Sequence, residues 1–180
     1  MNVMDLESMP FSPRNTSAFR YAQGSIFDAF ERVHVEAIVV FIPQGLTSIR
    51  WVARRYVENL VCLGSGRDGM FSLYRDSCGR LVAVCEKEAR TTLEMRQLLD
   101  HACVLLSDLG IRRVAMNGIR VRDLPTEWHE AERLMSDYVC ELCGLSRDPF
   151  EQVFFVDLRG GFNKAFSNGD CIVWRHDEMT

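Results

Sequence analysis

Two arginines follow a turn in the segment Asn117-Gly118-Ile119-Arg120-Val121-Arg122. A guanidinium offers a planar fork of donors that grips a phosphate or carboxylate with two parallel bonds, and a glycine just upstream lets a ligand reach bare backbone. The chemistry within reach is therefore recognition of an anion. Arg120 and Arg122 point to opposite sides if the segment is extended, so at most one faces a pocket. The bland alternative is that both are solvated loop charges.

Other residue groups invite chemistry and mostly fail on spacing. His129-Glu130 lies on a helical pattern, but Arg133 stands where a zinc protease needs its second histidine. Cys140 and Cys143 form a single Cys-x-x-Cys near the end of a helix, where the helix dipole opposes a thiolate, and no second pair completes a zinc site. They read as packing residues. Gly64-Ser65-Gly66-Arg67-Asp68-Gly69 lacks the Gly-Lys-Ser/Thr ending of a phosphate loop and reads as a flexible connection. His34, His101 and His176 have no catalytic arrangement around them. No metal, cofactor or disulfide is expected.

The elements that must position the arginine turn are legible from periodicity. Residues 18–23 read as a first strand ending at Gly24, and Val35 to Ile42 as a central strand closed by Pro43-Gln44-Gly45. Thr47 or Ser48 can cap a helix with the stripe Ile49, Val52, Ala53, Tyr56 and Leu60. Met70 to Tyr74 and Leu81 to Cys85 form a hairpin around Asp76 to Gly79. A long helix over Glu88 to Leu109 stops at Gly110 and feeds a short strand from Arg112 that ends at the Asn117-Gly118 turn. A helix from about Pro125 to before Gly144 and a strand over Gln152 to Asp157 follow. Beyond them come a turn of helix at Asn163 to Phe166 and a last strand at Cys171 to Trp174. Alternating strands and helices predict a single α/β domain of three layers, α/β/α, with a mixed sheet and helices on both faces. The carboxyl ends of such strands are where ligands sit.

Composition narrows the classes. With 180 residues, 47% apolar and 26% charged, the chain suits one globular domain, read as 18–175 between an arm at 1–17 and a tail at 176–180. A net charge of -4 disfavours general nucleic-acid binding and attraction to anionic membranes. No apolar run approaches the ~20 residues that span a bilayer. The first residues, carrying Asp5, Glu7, Pro10 and Pro13, do not form a secretory signal. Seven cysteines without dense spacing fit reduced thiols, and a soluble, cytoplasmic protein is expected.

The order of elements, with three short segments, resembles a macrodomain, the fold that commonly binds ADP-ribose. Gly24-Ser25-Ile26 is similar to that family's Gly-Asp-Ile, and Val35-Glu36-Ala37-Ile38-Val39-Val40 to its Val-Asp-Ala-Ile-Val-Asn. Gly110 to Ile119, then a helix and Val153-Phe154-Phe155-Val156, follows the same order. The resemblance spans roughly residues 18 to 166. It implies a pocket built from Ser25, Ile26, Asp28, Gln44, Gly45, Asn117, Gly118, Ile119, Arg120 or Arg122, with Phe162 as a platform for adenine. Phe162 and Phe166 read equally as rings closing the core.

The departures are chemical. Ser25 stands where the family places an aspartate for the adenine amine, with Asp28 as a substitute, and Val40-Phe41-Ile42-Pro43 stands where its Asn-Ala-Ala-Asn should follow the strand, so both asparagines are missing. The glycine-rich loop is reduced to Gln44-Gly45-Leu46, and the second one reads Arg120-Val121-Arg122. Neither Ile42 nor Pro43 can orient a ribose and an attacking water. The expectation is noncatalytic binding of ADP-ribose or a related nucleotide phosphate, with ADP-ribosylated protein as a further partner and no catalytic residue. Two alternatives stand beside it. One is an ADP-ribosyl hydrolase with a rearranged site using Asp28, Gln44 or Asn117. The other is an interaction or oligomerisation module whose pocket is filled by Phe41, Ile42 and Leu46.

Overall fold

A computed structural model describes residues 19–42, 61–66, 69–85, 87–119, 121–122, 128–145, 150–157 and 172–173, with backbone alone at 128–130, 143–145 and 172–173. Its sheet has eight strands. In chain order they are β1 (Phe19–Gln23), β2 (Ala37–Phe41), β3 (Val61–Gly66), β4 (Phe71–Arg75), β5 (Leu81–Cys85), β6 (Arg113–Met116), β7 (Gln152–Asp157) and β8 (Ile172–Val173). Side by side they run β3-β4-β5-β2-β6-β7-β1-β8. From β5 to β8 every pairing is parallel, whereas β3, β4 and β5 form an antiparallel meander.

The parallel strands are apolar throughout because both faces are covered. β2, Ala-Ile-Val-Val-Phe, and β5, Leu-Val-Ala-Val-Cys, are buried at every residue. On one face lie helices α2 (Thr92–Asp108) and α3 (Trp128–Leu145), over a core containing Val39, Phe71, Met95, Leu99, Met135 and Phe155. The opposite face is covered by a 3-10 turn (Ile26–Asp28) and helix α1 (Ala29–Val33), which pack Phe27 and Phe30 on Ile38, Val40 and Val84. The mixed sheet with helices on both faces is thus as the periodicity predicts.

Several boundaries differ, each for a local reason. α2 begins at Thr92 rather than at Glu88, because Thr91 closes a capping box: its hydroxyl accepts from the Glu94 amide at 3.2 Å, and the Glu94 carboxylate accepts back from the Thr91 amide at 3.3 Å. The other end is a Schellman motif: Gly110, at φ 74°, donates to the Ser107 carbonyl and Ile111 to that of Leu106. α3 runs through Gly144 to Leu145. Gly64-Ser65-Gly66 is not a loose connection: it forms half of β3, with Gly64 at φ 111° at a register shift opposite β4. Arg67 and Asp68, the helix expected after Thr47, the turn at Asn163 to Phe166, the arm and the tail lie outside the described residues.

The hairpin from β4 to β5 turns on one carboxylate. Asp76 is buried and accepts from the amides of Cys78 (2.9 Å) and Arg80 (2.8 Å) and from Arg80 Nε (2.6 Å). The same Arg80 lies over the Phe30 ring at 4.4 Å and pairs with Glu31 at 3.0 Å, joining the meander to α1.

The capping box yields a direct test. Thr91→Ala removes one reciprocal bond and should lower stability by about 1 kcal/mol, seen in urea unfolding as a lower midpoint with an unchanged slope.

Candidate functional site

Because β1, β2, β5, β6 and β7 run the same way, their carboxyl ends meet at one rim of the sheet. That rim collects Ser25-Ile26 after β1, Ile42 after β2 and Asn117-Gly118-Ile119 after β6. Of the anticipated site residues, Ser25, Ile26, Asn117, Gly118 and Ile119 thus stand at strand exits along this rim. Gln44, Gly45, Arg120 and Phe162 lie outside the described residues.

Several polar groups at the rim have structural work. The Ser25 hydroxyl accepts from the Phe27 amide at 3.3 Å and so starts the 3-10 turn, which buries Ile26 and ends at the half-buried Asp28. Gly24 donates to the Asp157 carbonyl at 3.0 Å, tying the exits of β1 and β7. Asn117 replaces a stretch of backbone: its Oδ1 accepts from the Phe41 amide at 2.7 Å while its Nδ2 donates to the Phe41 carbonyl at 2.9 Å. Ile42 in turn donates to the Cys85 carbonyl at 3.1 Å. The Phe41 side chain is core, packed edge-on against Phe71.

The arginine loop is drawn toward the segment that leaves β5. Ala89 and Val121 form a parallel bridge, and the Arg122 amide donates to the Ala89 carbonyl at 3.0 Å. Arg122 also forks onto Glu88, with Nε to Oε1 at 3.2 Å and a second bond from the terminal nitrogen to Oε2. Both side chains are exposed enough, 45% and 32%, for this pair to contribute at most about 1 kcal/mol. An arriving anion can therefore compete for Arg122.

Three residues behind the rim escape the periodicity. Glu132 on α3 is only 1% exposed, and a Cβ built on Gly118 would stand 3.2 Å from its Cγ and Oε1. One turn later on the same helix, Ser136 is fully buried and shares a 3.2 Å hydrogen bond with the Tyr21 hydroxyl of β1. The signal was present: Glu132 and Ser136 step by four beside Ala131 and Met135, so a polar line accompanies the apolar stripe. Tyr21 stacks on Phe155 at 5.8 Å, and burial pushes its phenol up to about 12. The Cys140 side chain is half-buried against the core, while that of Cys143 lies outside the described residues.

No protein-family model and no curated protein matches the sequence. Solved structures do match the fold. The Trypanosoma brucei macrodomain superimposes with a TM-score of 0.64 at 12% identity, covering 87% of this chain and 68% of that one. The same macrodomain in complex with ADP-ribose gives 0.63 at 10% identity, over 87% and 71%. The macro domain of ganglioside induced differentiation associated protein 2 gives 0.55 at 13% identity, over 81% of each chain. The chain has a divergent form of the macrodomain fold.

Two outcomes follow from this geometry. Gly118→Ala forces its methyl against a buried carboxylate with little room to move, and should cost about 1 to 3 kcal/mol in chemical unfolding. Tyr21 holds its proton more tightly folded than unfolded, so its contribution is complete below pH 10 and is lost as pH rises toward 12, by about 2 to 3 kcal/mol. Tyr21→Phe should flatten this alkaline loss in a series of unfolding curves from pH 8 to 12, at the cost of one hydrogen bond at neutral pH.

Proposed function

We propose that the chain binds ADP-ribose or a related nucleotide phosphate at the rim formed by Ser25, Ile26, Ile42 and Asn117 to Arg122, without catalysing its hydrolysis. The observation that carries the reading is the arrangement of that rim, at the carboxyl ends of parallel strands in a fold whose solved neighbours include a complex with ADP-ribose and one with ADP. Gly118 supplies a stretch of backbone without a side chain on which a diphosphate can lie.

Electrostatics argues for a cation there. A diphosphate laid on the outer side of the turn at Gly118 is held most firmly where a cationic group pairs with it. Arg122 is the described group placed to do so, by turning from Glu88 toward the ligand. Arg120, outside the described residues, remains its companion in this proposal.

The noncatalytic part rests on side-chain chemistry. Hydrolysis needs a polar group to hold a water against the distal ribose. At the exit of β2 the described residue is Ile42, and the Asn117 amide is bound on both of its polar atoms by Phe41. ADP-ribosylated protein is accordingly proposed as a partner to be recognised and left intact, in a soluble, cytoplasmic setting.

Calorimetric titration of the full chain with ADP-ribose tests this reading. Wild type should bind. Arg122→Ala should lose roughly 10-fold to 100-fold in affinity, the worth of a charge-assisted bond, with little loss of stability. Glu88→Gln should gain up to about fivefold by freeing the arginine. Absence of binding by wild type would end the proposal, and multiple-turnover release of ADP-ribose from a modified protein would refute its noncatalytic part.

A further inference from the structure

Where the arginine loop meets the segment leaving β5, the chain builds a short parallel ribbon whose charges a nucleotide uses only in part. Ala89 and Val121, joined by the bridge, are both buried and so turn inward. Neighbours in an extended segment point the other way, which sets Glu88, Arg90 and Arg122 on the outer side. Lys87 is exposed beside them. Three cations thus accompany one carboxylate, in a chain whose net charge is -4. Arg122 already engages Glu88, whereas the side chains of Lys87 and Arg90 have no hydrogen-bond or ion-pair partner among the described residues. The nearby Glu94 carboxylate is taken up by the amides of Arg90 and Thr91.

An apolar group adjoins this charge. Leu93, in the first turn of α2, is 63% exposed. It shares a helix face with the exposed Gln97 and Asp100, not with the buried stripe through Met95, Leu99 and Ala102. The order of strands then fixes where the ribbon lies. β1, β7, β6, β2 and β5 are successive neighbours, so Ser25 after β1, Gly118 after β6 and Lys87 after β5 follow one another along the rim. A ligand with its nucleoside toward Ser25 and its diphosphate on Gly118 points its far ribose, the sugar through which ADP-ribose is joined to protein, toward the ribbon.

Building on the nucleotide site already proposed, we infer that Lys87, Arg90 and Leu93 form a docking surface for the polypeptide that carries the nucleotide. That polypeptide is acidic near the modified residue, with an apolar side chain for Leu93 to cover. Separate cations on a short ribbon suit peptide carboxylates, which accept the guanidinium fork one at a time. A nucleic-acid strand fits less well. Its phosphates require neutralisation along a longer track and its bases an aromatic platform, and residues 87–93 and 121–122 contain no aromatic side chain.

Calorimetric titration of the full chain tests this with two peptides, each bearing a single ADP-ribose on the same central residue. One is flanked by aspartates and a leucine, the other by lysines. In low salt, wild type should bind the acidic peptide roughly 5-fold to 10-fold more tightly than the basic one or free ADP-ribose, the worth of two exposed ion pairs, and the margin should shrink as salt is raised. Lys87→Gln combined with Arg90→Gln should abolish the preference and leave affinity for free ADP-ribose within about twofold, a split that general loss of structure would not give. Equal binding of both peptides, with free ADP-ribose still bound, would overturn the docking surface and leave the nucleotide site standing. Failure of wild type to bind free ADP-ribose would remove both. A preference that survives the double substitution would overturn the surface as well, as would tighter binding of single-stranded RNA than of the acidic peptide, lost in the same double variant.

Discussion

The pairing of β2 with β6 is the contact from which the remaining architecture is measured, and it is closed at both ends by side chains acting as backbone. At the start, Glu36 Oε1 accepts from the amides of Arg112 at 2.7 Å and Arg113 at 2.9 Å. At the finish, the Asn117 amide exchanges both its bonds with Phe41. A one-residue slip would break all four bonds; the Glu36 carboxylate is exposed and would turn to water, whereas the partly buried groups of Asn117 and Phe41 would be left unpaired at a cost of about 1 to 3 kcal/mol each. β5 and β7 then build outward from a fixed register, and the turn at Gly118 stands at a fixed height above the end of β2.

That constraint explains which parts of the structure could be read in advance. The strands over Gln152 to Asp157 and Leu81 to Cys85, and the helix ending at Gly110, combine strong periodicity with an explicit stop, so local sequence suffices. β3 was invisible because two glycines in six residues resemble a loop, and only its pairing with β4 makes it a strand. The start of α2 was displaced because Glu88 to Arg90 look helical until the bridge from Ala89 to Val121 claims them. At the rim, the places of Ser25, Asn117 and Gly118 just after β1 and β6 follow from order along the chain. Their bonds do not, since a side chain that imitates backbone leaves no periodic trace. The places of Glu132 and Glu88 leave no trace either, since an acidic residue reads as solvent-facing until three-dimensional neighbours show otherwise.

The rim is held together by one exposed ion pair and one short bridge. The Glu132 side chain sits buried behind Gly118, the Glu88 carboxylate engages Arg122 in front, and the bridge from Ala89 to Val121 joins the two loops. In the proposed function an anion enters this arrangement by exchange: it takes over a guanidinium already satisfied, and so gains less than it would from an unpaired one. Selectivity then rests on shape along Ser25, Ile26 and Gly118 as much as on charge.

The placement of β2 has a consequence for biosynthesis. Its neighbours β5 and β6 are made later, and β6 ends at Met116, so the run Ala-Ile-Val-Val-Phe leaves the ribosome with neither lateral partner. At about 5 to 20 residues per second, the wait between Phe41 and Met116 is roughly 4 to 15 s. The meander of β3, β4 and β5 closes from neighbouring sequence during that interval and offers β2 one partner at β5, whereas its other side waits for β6. During translation, a strand that the finished fold buries at every residue therefore keeps one apolar edge open until β6 is made, and that edge is a target for holdase chaperones and for aggregation.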